Sequence, residues 1–69
     1  LNIEFNLNAA QATEITILDL TGKEMQSHTV TGQTGKNMAF LNVDALSAGI
    51  YFLKINVNGV SQQIRFVIQ

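Results

Sequence analysis

His28 is the only histidine in the chain, and cysteine is absent. A catalytic zinc takes three protein ligands, drawn mostly from His, Cys and carboxylates. One imidazole is a poor start for such a site. His28 also stands in a polar run, Gln26-Ser27-His28-Thr29, and reads as a solvated surface side chain. The carboxylates are Glu4, Glu14, Asp19, Glu24 and Asp44. They are scattered, and no two form the coupled pair that acid–base chemistry uses. Asp19 reads as a turn residue and Asp44 as a cap. Ser27, Ser47 and Ser61 have no histidine at a spacing that would make a nucleophile. Thr31-Gly32-Gln33-Thr34-Gly35-Lys36 has the composition of a phosphate loop without its spacing, and no helix pattern follows it. The expectation is a protein that is not an enzyme, with no metal and no cofactor.

Composition narrows the classes further. Sixty-nine residues allow one small domain, spanning residues 1–69. The apolar share, 46%, is that of a globular chain, while charged residues make up 13%, about half the usual quarter. Asn, Gln, Thr and Ser must therefore supply the polar surface, which suits an exported β protein. Lys23, Lys36, Lys54 and Arg65 are spread out, so no basic patch is available for nucleic acid. No segment has the length of a membrane-spanning helix. The chain begins at Leu1 rather than Met. We expect a fragment of a longer secreted precursor that closes at Gln69, with its export signal far upstream.

Which elements would position these residues? Leu1, Ile3, Phe5 and Leu7 alternate with Asn2, Glu4, Asn6 and Asn8, the period of a half-buried strand. Ala9 to Thr13 reads as a connection. Glu14 to Leu20 is a second strand, with Ile15 and Ile17 inward, Thr16 outward, and Leu18 and Leu20 on the outer face. Asp19-Leu20-Thr21-Gly22 is a tight turn, with Asp placed to accept from the backbone ahead and Gly free to turn left-handed. Lys23 to Val30 is a polar edge strand. Thr31 to Gly35 is a loop, and Asn37 to Val43 a further strand. Asp44 to Leu46 has room for a single helical turn. Ile50–Asn58 and Val60–Ile68 form a hairpin, because Asn58-Gly59 between alternating apolar runs is a strong two-residue turn signal. That turn pairs Val57 with Val60, Ile55 with Gln62, Leu53 with Ile64 and Tyr51 with Phe66. Phe5, Phe40, Tyr51 and Phe66 read as core, and Phe52 falls out of phase with Tyr51 and Leu53. The fold class is all-β, an immunoglobulin-like Greek-key sandwich of six or seven strands.

Four pieces of this pattern stand in a particular order. They are Asp19, Gly22 and Lys23 in the first turn, then Gly49, Tyr51 and Phe52. Asn58 and Gly59 form the hairpin turn, and Arg65, Phe66, Val67 and Ile68 come last. Together they resemble the C-terminal sorting domain of the type IX (Por) secretion system of Bacteroidetes-type bacteria. Ser47 stands where many members have proline, and Arg65 where many have lysine. The resemblance implies the same sandwich fold and a non-catalytic role as a secretion signal. It implies a parent protein that crosses the periplasm, is carried over the outer membrane, and ends secreted or at the cell surface. Its implied partners are the outer-membrane secretion machinery, a processing protease, and the cargo domain that precedes the signal in the precursor. Two other readings compete. One is a structural immunoglobulin-like spacer in a surface enzyme or adhesin. The other is a small carbohydrate-binding module using Phe52.

Overall fold

The computed structural model describes all 69 residues. Six strands follow one another: β1 (Asn2–Leu7), β2 (Gln11–Asp19), β3 (Glu24–Gly32), β4 (Gly35–Phe40), β5 (Gly49–Val57) and β6 (Val60–Ile68). They form two antiparallel sheets. One is the pair β1–β4, and the other has the order β3-β2-β5-β6. The chain changes sheet between β1 and β2, β3 and β4, and β4 and β5, which gives the immunoglobulin-like Greek-key sandwich expected from the sequence. No seventh strand is present.

The core lies between the sheets. Ile15 and Ile17 of β2 are completely buried, and Tyr51, Leu53 and Ile55 of β5 lie beside them. Ile3 of β1 and Leu41 close the cluster from the smaller sheet. Alternation explains the choice, since residues two apart share a face. The hairpin register is the one read from its turn: Val57 pairs with Val60, Leu53 with Ile64, and Tyr51 with Phe66. Asn58 and Gly59 both take positive φ, 51° and 83°, as a two-residue hairpin requires.

Several expectations are corrected. Phe40 is not core, and with Met38 it is about 70% exposed on the outer face of β4. The reason is the pairing with β1. Asn2 and Glu4 must face water, and they sit opposite Phe40 and Met38, whereas inward Ile3 sits opposite Ala39. Burial thus goes to Ala39 and Leu41 instead. Thr16 points outward as expected but is buried. Leu20 lies beyond β2 and is exposed.

The connections are shorter than the glycines imply. β2 begins at Gln11 and β3 continues to Gly32, so the stretch from 9 to 13 and the loop from 31 to 35 are partly strand. Asn37 makes the second of these compact. Its Oδ1 accepts from the Gln33 amide at 2.8 Å, and its Nδ2 donates to the Gln33 carbonyl at 2.7 Å. The strand expected to reach Val43 stops at Phe40. Asp44 caps no helix. Asn42 is the capping residue instead, its Oδ1 accepting from the Asp44 amide at 2.9 Å, and a single turn closes from the Leu46 amide to the Val43 carbonyl.

Candidate functional site

Three of the four motif pieces meet at one end of the large sheet. The ladder sets Asp19 opposite Tyr51, and Tyr51 opposite Phe66, in a line across β2, β5 and β6. The neighbouring line runs Leu18, Phe52, Arg65, and the next pairs Ile50 with Val67. Gly49 ends the ladder opposite Ile68. Asn58 and Gly59 are not part of this gathering. Seven residues of strand place them roughly 23 Å away, at the opposite end of the sheet.

The first piece is a clamp built on one carboxylate. Asp19 Oδ1 accepts from the Thr21 hydroxyl at 2.6 Å, the Thr21 amide at 2.8 Å and the Lys23 amide at 2.9 Å. The Gly22 amide donates to the Asp19 carbonyl at 3.0 Å, and Gly22 itself sits at φ 89°, a conformation that excludes most side chains. The Thr21 hydroxyl, then the Lys23 amide, hold the carboxyl of Asp19 below its ordinary value of 3.8. Donors gathered on a carboxylate favour its charged form. Asp19 therefore acts as a structural turn residue, its Oδ1 held by three donors of its own loop.

The second and fourth pieces split between two faces. Tyr51 is buried and stacks on Phe66, ring centroids 5.9 Å apart with 28° between planes. Its hydroxyl donates to the Ser47 carbonyl at 2.7 Å, tying the β4–β5 connection to the hairpin. This is the usual logic of a buried tyrosine, an apolar body with a satisfied polar tip. Phe52, Arg65 and Val67 point the other way, onto the outer face of the sheet. There Ile50 and Leu18 complete an apolar patch with one guanidinium at its margin. Ile50 was detectable in the sequence as the residue two before Phe52. Leu18 was readable as an outward residue, but its place beside Phe52 depends on the pairing of β2 with β5.

No three His, Asp or Glu side chains lie together in a way that could hold a metal ion. His28 is exposed on the edge strand, its Nε2 3.1 Å from Gln26 Oε1. The single ion pair, Lys36 to Glu4 at 3.4 Å, is exposed on the other sheet and adds little. The fold and its motifs define a small β-sandwich organised around turns and strand ends. The chain belongs to the secretion system C-terminal sorting domain family, whose model matches residues 1–69. No curated protein and no solved structure matches it.

Proposed function

We propose that this domain is the sorting signal of a secreted precursor, read by the type IX machinery while it carries no catalysis of its own. The precursor would cross the periplasm, present this domain to the outer-membrane apparatus, and lose it to the processing protease on the way out. One observation carries the reading of the site: the ladder collects the first turn, the glycine–tyrosine piece and the terminal piece at a single end of the sheet. Motif residues distant in sequence become one surface there. Its inward members, Tyr51 and Phe66, hold the shape. Its outward members, Phe52, Arg65 and Val67, are the groups a receptor can touch.

The test fuses the chain to a periplasmic reporter in a bacterium that has the system. The intact domain should deliver the reporter to the surface. Arg65→Glu with Val67→Ser changes only outward side chains, so the fold should persist and delivery should fall at least tenfold. Undiminished delivery would remove the outer face from the proposal. No delivery by the intact domain would remove the sorting role itself.

A further inference from the structure

The smaller sheet is too narrow for the larger one. Two strands cannot cover four, and the uncovered flank is β6. Val60 is 71% exposed and Ile64 52% exposed, although both lie on the inner face of the hairpin. The space left open is a groove of about 550 Å³, which adjoins a smaller depression of about 200 Å³ beside Ile3, Leu53 and Phe66.

The lining shows the shape of what would fit. From β5 and β6 the groove takes alternate residues, Ile55 and Val57, then Val60, Gln62 and Ile64. Alternate residues are one face of a sheet, so this is a floor. From β1 it takes consecutive residues, Glu4 through Leu7. Consecutive side chains point to opposite faces, so the groove meets β1 along its edge. That edge is bare, since β1 pairs only with β4. A row of unpaired backbone donors and acceptors stands beside an apolar floor, which is the arrangement that accepts an added strand. The free edge of β6 differs, because a strand added there would have no facing sheet to pack against.

Charge narrows the occupant. Glu4 is the only ionisable side chain lining either space, and Lys36 already engages it. An inward charge on the occupant would be buried without a partner.

We infer that this flank is a strand-accepting site: an extended segment of a partner polypeptide, uncharged and apolar at alternate positions, adds to the free edge of β1 and packs on Val57, Val60 and Ile64. A segment of about six residues matches β1, roughly 20 Å of strand. The addition turns two strands over four into three over four. The inference does not depend on the sorting role.

The experiment titrates the isotopically labelled 69-residue chain with a synthetic probe, a capped peptide of alternating valine and threonine with a short Gly-Ser tail. Amide exchange over Asn2–Leu7 should slow at least tenfold at saturation, and the methyl signals of Val60 and Ile64 should shift. Ile64→Glu should weaken binding at least tenfold. Its half-exposed position lets the chain keep its fold, which the core methyl signals of Ile15 and Ile17 would show. A probe with glutamates in place of the valines should not bind. Absence of saturable binding at millimolar probe would overturn the site, as would protection on the β6 edge in place of β1. Undiminished binding to Ile64→Glu would do the same. Protection of β1 by unlabelled chain alone would make the occupant a second copy and overturn the assignment to a different partner.

Discussion

The large sheet contains two hairpins, β2–β3 and β5–β6, whose strands are all nine residues long, yet they turn by different physics. The first closes on a side chain: one exposed carboxylate takes three hydrogen bonds from its own loop. The second closes on backbone conformation, two successive positive φ angles, helped by one bond from the Gly59 amide to Asn56 Oδ1 at 3.1 Å. Their packing differs in the same sense. β3 is a polar edge with no buried side chain, while β5 holds three members of the core. The first hairpin is therefore held by local, titratable contacts, and the second by burial and chain geometry.

Truncating the core of the second hairpin should have the largest effect. Tyr51→Ala removes a buried ring, its stack on Phe66 and the bond to Ser47. A loss of about 3–5 kcal/mol is expected in chemical denaturation. Met25→Ala on β3 should cost far less, and equal losses would break the contrast. Next comes Gly59→Val, which forces a branched side chain to φ 83°. Left-handed strain of about 1–2 kcal/mol should appear as a lower midpoint in thermal unfolding, with no dependence on pH.

Thr13 offers a change of opposite sign. It is fully buried in β2 and its hydroxyl has no hydrogen-bond partner. An unsatisfied buried group is unfavourable, so Thr13→Val should stabilise the chain by about 1 kcal/mol and widen the range over which the hairpins can be compared.

The smallest effect at neutral pH belongs to Asp19. Its folded pKa lies below its ordinary value of 3.8, so the charged form favours the fold. This contribution is fully present above 3.8 and is lost as pH falls through the lower folded value. Asp19→Asn should flatten the stability profile in that acid window. A variant that still followed the wild-type profile there would show that the clamp is not what titrates.

The hairpin was the most legible part of the sequence. Its turn residues fix the register by backbone sterics alone, and all four expected pairs are present. The Asp19 turn was equally readable, because its donors come from the next few residues. Phe40 was misread for a physical reason. β4 carries apolar residues on both faces, and only the strict alternation of its partner β1 decides which face is inside. The patch around Phe52 was largely visible: Ile50 follows from strand period and Arg65 from the hairpin register, whereas Leu18 joins it through the pairing of β2 with β5. The open flank beside β6 could not be read at all. It arises from how many strands each sheet receives, which no local pattern records.

Gly32 is buried where β3 passes beneath β1, and a Cβ there would overlap the Leu7 side chain. The Phe5 ring lies at ordinary contact distance on the same side, and the overlapping atom is the far end of the Leu7 side chain, so a turn of Leu7 is the adjustment that makes room. Positions 7 and 32 consequently share a single allotment of volume. Growth at one demands movement at the other, so Gly32→Ala should cost less together with Leu7→Val than alone. Two sites far apart along the chain are thereby coupled through one side chain.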